Sequence, residues 1–235
     1  MRIVALHGQM GMASDWNTHA SKLIQYGYQL EAVDLWRYLE GGELGLEAFG
    51  EKLNKDHDSS QILLGYSMGG RLALQALIDE PKKWKAAVIV SAHVGLPQES
   101  KKQRRLIDNE WAAKLESSPW SEFLSEWNKQ GVLGNNVMPN RNALEARKKE
   151  ISRSFNCWSL SEQEDLLEKL SIIEIPVLWV VGVNDEKFCE LGEVAVSRLK
   201  DAKVLRISNS GHRVPWEAEA DLVDAIGQWI SIQFK

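Results

Sequence analysis

A chain of 235 residues, 44% hydrophobic and 26% charged, is long enough for one sizeable core and ordinary for a soluble globular protein. Its net charge of −5 excludes a general nucleic-acid binder, which is normally basic. Its two cysteines are too few for a disulfide framework, and no stretch approaches the ~20 apolar residues of a membrane span.

The first apolar run, residues 3–6, is too short for a signal-peptide core and runs straight into His7 and Gly8. A cytoplasmic protein is therefore expected. Strands are predicted at 2–6, 29–34, 61–66, 86–92, 177–181 and 203–207, all short and rich in Val, Ile and Leu. Helical patterns lie between or after them at 16–26, 46–56, 68–79, 189–200 and 218–234. Strands alternating with helices predict an α/β fold with a mainly parallel, doubly wound sheet of about six strands. The chain begins almost at its first strand, so an N-terminal antiparallel hairpin is expected to be absent.

One segment breaks the rhythm. Residues 95–170 hold no convincing strand and contain four of the ten tryptophans. Ile107, Trp111 and Leu115 repeat at four-residue spacing, Trp120, Phe123, Leu124 and Trp127 fit a second helical stripe, and Leu144, Ile151 and Phe155 a third. The expected organisation is a core of residues 1–94 and 171–235 with a helical lid, 95–170, inserted between them. Within it, residues 99–153 carry 11 basic against 8 acidic side chains, so an anionic ligand is least repelled there.

The strongest local signal is Gly65-Tyr66-Ser67-Met68-Gly69-Gly70, a G-x-S-x-G pattern between an expected strand and an expected helix. That context is a nucleophile elbow, a turn so sharp that small residues flank the serine two positions either side. A serine alcohol is unreactive at neutral pH and needs a base and an orienting acid further along the chain. Of five histidines, His212 is the best base, because it follows the last strand on the sheet edge where such folds place their sites. His19 and His57 read as solvated helical residues, and His93 as a lining residue. Asp185, in the loop after the fifth strand, is the expected acid, with Glu186 as the fallback. The backbone N–H groups of Gln9, after the first strand, and Met68 would supply an oxyanion hole. No ligand cluster or dinucleotide fingerprint implies a metal or organic cofactor.

Taken with Leu6–Trp16 (LHGQMGMASDW), Gly65–Leu74 (GYSMGGRLAL), Ser91–Leu96 (SAHVGL), Gln103–Leu115 (QRRLIDNEWAAKL), Glu126–Leu133 (EWNKQGVL), Ser152–Asn156 (SRSFN), Gly182–Phe188 (GVNDEKF) and Ser210–His212 (SGH), the chain resembles a family. That family is the 2-succinyl-6-hydroxy-2,4-cyclohexadiene-1-carboxylate synthases of menaquinone biosynthesis, within the α/β-hydrolase superfamily. The resemblance implies a lyase that eliminates pyruvate from a tricarboxylate, with Ser67 as base rather than acyl carrier. It implies anion-binding roles for Arg71, Arg104 and Arg153, and pocket roles for Tyr66 and Trp127.

Physical reasoning weighs these separately. Arg71 lies one turn after Ser67 near a positive helix end, where a cation is disfavoured and needs an anionic partner, either substrate or a structural Asp or Glu. Arg104 shares a face with Ile107 and Trp111 and can snorkel. Arg153 lies off its stripe, Arg147 lies nearer, and only the resemblance selects Arg153. Trp127 fits a core role equally well. The chain departs from many relatives at 33–38 (VDLWRY), where a Pro-Gly-His-Gly turn is common, and at Gln9, where an aromatic residue is frequent. The rival expectation is an ester or thioester hydrolase on the same scaffold. A noncatalytic receptor does not need all three of Ser67, Asp185 and His212.

Overall fold

The computed structural model describes residues 1–134 and 139–235; residues 135–138, inside the expected insertion, lie outside it. Six strands, β1 (Arg2–Leu6), β2 (Gln29–Val33), β3 (Ile62–Tyr66), β4 (Ala86–Val90), β5 (Val177–Gly182) and β6 (Ala202–Ile207), form one sheet in the order β2-β1-β3-β4-β5-β6. Every neighbouring pair is parallel. The four inner strands carry almost nothing but apolar side chains, as a sheet covered on both faces requires. Their side chains alternate between two cores with the period of two that a strand imposes. Val4, Leu63, Ala87, Ile89 and Trp179 face one core. Ile3, Ile62, Leu64, Val88, Leu178 and Val180 face the other.

Helices α1 (Asn17–Leu23) and α9 (Glu219–Gln233) cover the second face, and α2 (Leu46–Asp56), α3 (Met68–Asp79) and α7 (Glu186–Val196) the first. A short helix, α8 (Val214–Glu217), precedes α9. The expected helix at 16–26 is shorter than predicted. It opens as a 3-10 turn at Ala13–Trp16, and a second one at Ile24–Tyr26 ends it at Gly27, whose φ of +78° suits glycine. The second strand stops at Val33 because Asp34 leaves the ladder. Its carboxylate accepts the Trp36 N–H at 3.2 Å and caps a 3-10 turn, Leu35–Leu39.

Between β4 and β5 the described residues hold helices and turns but no strand. These are α4 (Gln98–Ser117), α5 (Trp120–Trp127), α6 (Lys148–Cys157) and 3-10 turns at Gly131–Leu133, Asn142–Arg147 and Glu168–Ile172. Pro119 separates α4 from α5, disfavouring helical geometry at Ser118. In α4 the buried side chains are Asp108, Ala112 and Leu115, while Ile107 is exposed. The buried face therefore lies about one residue round from the apolar repeat. Asp108, a carboxylate that composition alone would leave in water, is part of that face.

Candidate active site

Because all six strands run the same way, the segments leaving their carboxyl ends converge on one edge of the sheet. At the end of β3 the chain turns through Ser67, whose φ of +52° and ψ of −113° are strained for a residue with a Cβ. The strain is held by hydrogen bonds on both sides. Ser67 N–H donates to Val90 O at 2.9 Å, and Arg71 N–H donates to Ser67 O at 3.1 Å to start α3. A Cβ at Gly69 would sit 2.5 Å from the carbonyl oxygens of Leu6 and His7, so only glycine lets the elbow pack onto the end of β1.

Ser67 Oγ lies 3.1 Å from His212 Nε2, and His212 Nδ1 lies 2.9 Å from Asp185 Oδ2. With the carboxylate accepting at Nδ1, the neutral ring presents an unprotonated Nε2 to the serine hydroxyl. The other oxygen of Asp185 accepts the Phe188 N–H at 3.4 Å and caps α7. This explains why that helix begins three residues before its apolar pattern does. Phe188 and Tyr66 pack against the imidazole, with centroids at 4.5 and 5.8 Å. His212 itself is buried.

The trio opens on a cavity of ≈ 200 Å³ between the sheet edge and the segment after β4. Gln9, Met68, Arg71, Arg104 and Trp127 line it, as does His93. Gln9 Nε2 donates to Ser154 Oγ at 2.9 Å, tying the loop after β1 to α6. Met68 opens α3, so its N–H has no partner inside the helix. Trp127 is buried against Trp111 and Phe155, at 5.0 and 5.5 Å, and one side of it faces the cavity.

Arg71 is buried, and among the described residues it has no ion-pair partner within 4.0 Å. Its guanidinium donates to Gln163 Oε1 at 3.0 Å and Trp158 O at 2.7 Å. Burial, and then the nearby Arg104 charge, pull its pKa down to about 9. Arg104 differs: its Nε donates to Asp108 Oδ2 at 2.8 Å, and Ser159 Oγ donates to the same oxygen at 2.6 Å. His93 Nδ1 accepts the Gly95 N–H at 3.1 Å. Burial, then the charges of Lys187, Arg71 and Arg104, lower its pKa to about 4.

Two expected pocket residues lie elsewhere. Arg153 does not line the cavity; its Nη1 donates to the carbonyl oxygens of Leu39 and Glu40. Its helical phase turns it toward the loop after β2. Arg147 does not face the cavity either, pairing with Glu40 and Asp34. Tyr66 stands behind the imidazole, edge-on to Trp216 at 5.3 Å, rather than in the cavity wall. His19, expected to be solvated, is 1% exposed and packed edge-on against Trp16, and burial lowers its pKa. His57 is half-buried beside Trp84.

Sequence reasoning missed several lining or supporting residues, among them Asp108, Lys187, Gln163 and Ser154. Asp108 stands four residues from Arg104, a helical ion-pair spacing that could have revealed it. Lys187 lines the cavity from the stretch after Asp185. Gln163, an isolated polar residue between α6 and β5, carried no local signal, and Ser154, a small polar residue within α6, gave no sign of its bond to Gln9.

A family model for an α/β-hydrolase family, described as serine aminopeptidase S33, matches residues 45–203, more than half of the chain. The chain belongs to that family. It is similar to 2-succinyl-6-hydroxy-2,4-cyclohexadiene-1-carboxylate synthase of Salmonella newport, at 32% identity over 71% of this chain and 66% of the relative, just under two thirds of that protein's length. The like-named protein of Salmonella typhimurium is 28% identical over 96% of this chain and 92% of its own. The solved structure of MenH from S. aureus superposes with a TM-score of 0.86 at 19% identity, covering 100% of this chain and 95% of that one, which shows a common fold.

Proposed function

We propose that this protein is a lyase that eliminates pyruvate from 2-succinyl-5-enolpyruvyl-6-hydroxy-3-cyclohexene-1-carboxylate, a step of menaquinone biosynthesis. The observation that carries this reading is the Ser67–His212–Asp185 chain opening beside Arg71, a buried guanidinium with no carboxylate partner among the described residues. Similarity to the two Salmonella synthases supports it.

The chemistry follows from the substrate's bonds. The ring C–H next to the succinyl carbonyl is the acidic one. His212 Nε2 takes the Ser67 proton, and the serine oxygen removes that ring proton. The resulting enolate oxygen rests on the Gln9 and Met68 N–H groups, which meet charge as it develops. Electrons then shift through the ring double bond, giving the 2,4-diene and breaking the ring carbon–oxygen bond. Enolpyruvate departs as its enolate and is protonated at carbon to give pyruvate, and the proton that His212 took from Ser67 balances that uptake and restores the neutral imidazole. Asp185 holds the imidazole tautomer, Arg71 and Arg104 hold carboxylates, and Trp127 packs on the ring. Residues 95–170 act as a lid that excludes water.

An ester hydrolase would use the same trio but make Ser67 the acyl carrier. A buried arginine one helical turn away, with no carboxylate partner among the described residues, suits an anionic substrate better than an apolar acyl chain. The test is to supply the intact precursor and follow pyruvate through coupled NADH oxidation. Wild-type protein should release stoichiometric pyruvate with no covalent adduct at Ser67 by mass spectrometry. Ser67→Ala should lose about three or more powers of ten while folding normally. A kinetically competent acyl-serine, or ester cleavage without pyruvate, overturns the reading.

A further inference from the structure

The two arginines of the cavity stand in opposite electrostatic situations. Arg104 is charge-matched by Asp108 at 2.8 Å. Asp108 is itself 2% exposed, so that pairing is not diluted by water. Arg71, deeper, is held among the described residues by neutral oxygens: the amide of Gln163 and the main-chain carbonyl of Trp158. These two bonds use two of its five N–H donors.

Gln163 is fully buried, and its amide is fixed from both ends. Its Oε1 accepts from Arg71, and its Nε2 points at His93 O, 3.4 Å away. A guanidinium only donates and a carbonyl only accepts, so the contact between them must accept on one side and donate on the other. Glutamine does both without charge. Glutamate, nearly the same shape, would keep the bond to Arg71 but neutralise it.

We infer that Gln163 is a positioning residue that sets carboxylate specificity: it orients Arg71 while leaving its full charge for the substrate, whereas Asp108 quenches Arg104. This rests on the reading of Arg71 as a carboxylate anchor. The ligand class is a carboxylate on a small ring, and the dominant anchor is Arg71 rather than the more exposed Arg104.

Two near-isosteric substitutions should act with opposite signs. Phthalate, a ring dicarboxylate, serves as probe, titrated by the fluorescence of the cavity tryptophans Trp127 and Trp158. At pH 8 a carboxyl beside a guanidinium is ionised. Q163E should therefore raise the phthalate Kd about tenfold or more, and raise KM for the precursor more than it lowers kcat. Q163M removes the orienting bond but adds no charge, and should weaken binding less than Q163E. D108N should tighten phthalate binding, by about threefold or more, because it releases Arg104.

A merely structural Gln163 gives the reverse order, with Q163M worse than Q163E, and that order overturns the inference. So does D108N leaving Kd unchanged or weaker, which also decides the matter if Q163E does not fold. Wild-type protein that binds phthalate but releases no pyruvate sinks the lyase reading alone. Pyruvate release with Q163E binding like wild type sinks only this inference.

Discussion

His7 shows how burial turns a titratable side chain into a structural one. It is 1% exposed, its Nε2 accepts the Leu35 N–H at 3.2 Å, and its Nδ1 then donates to Gly8 O at 2.9 Å. Burial depresses its pKa from 6.5 to about 4. Between those values the unfolded chain binds the proton and the folded chain does not. The stability His7 contributes is thus intact above pH 6.5 and is lost as pH falls toward 4, by up to about 3 kcal/mol. Urea unfolding at pH 7 and pH 4.5 should show the loss, and His7→Asn should reduce the difference between the two. The same scale shows what sequence could and could not reveal. Ser67, Asp185 and His212 were legible because each follows a strand in a local motif. Arg153 was not, because its partners are main-chain carbonyls of the loop after β2. Gln163 was not, because its meaning lies in Arg71, far away in sequence.

Elements are joined by single carboxylates that serve two of them at once. Asp185 uses one oxygen to hold His212 and the other to cap α7. Asparagine is as good a cap as aspartate, so Asp185→Asn should melt within a few degrees of wild type yet lose most turnover, because the imidazole tautomer is no longer set. Asp185→Ala should lose the activity and about 1 kcal/mol of stability as well, readable as a lower urea midpoint. Asp15 does the corresponding work between the core and the insertion. It accepts two bonds from Arg141, at 2.7 and 3.0 Å, and one from Met12 N–H at 2.9 Å. Arg141 is 2% exposed. Asp15→Ala should therefore cost about 3–5 kcal/mol by stranding a buried cation, and replacing both partners with apolar residues should recover much of it. Chemical denaturation of the single and double variants checks this. The face of α4 was misplaced by about one residue for a related reason: Asp108 is buried by pairing, which hydrophobic periodicity does not register.

At the scale of the whole molecule the sheet was legible almost strand for strand, since buried parallel strands read as continuous apolar runs. The arrangement of the insertion was not, because irregular turns occupy much of it and several of the contacts that fix it on the core are polar. Arg141 reaches Asp15, Arg213 donates to Asn128 at 2.7 Å, and Gln9 donates to Ser154. The sheet order also has a consequence in time. Synthesis delivers β1 to β4 early, and they can assemble as β2-β1-β3-β4. The open edge is then β4, Ala-Ala-Val-Ile-Val, which must wait through the entire insertion for β5. Closing so long a connection costs only about 2 kcal/mol more than a ten-residue one, so the delay is a matter of waiting rather than of stability. An unprotected apolar edge is where a nascent chain pairs with its neighbours instead of itself. Ser67 is laid down in that first half, whereas Asp185 and His212 arrive with β5 and β6. No partly made chain can therefore hold Ser67, His212 and Asp185 together, and the hydrogen-bonded trio comes into being only when the sheet is complete.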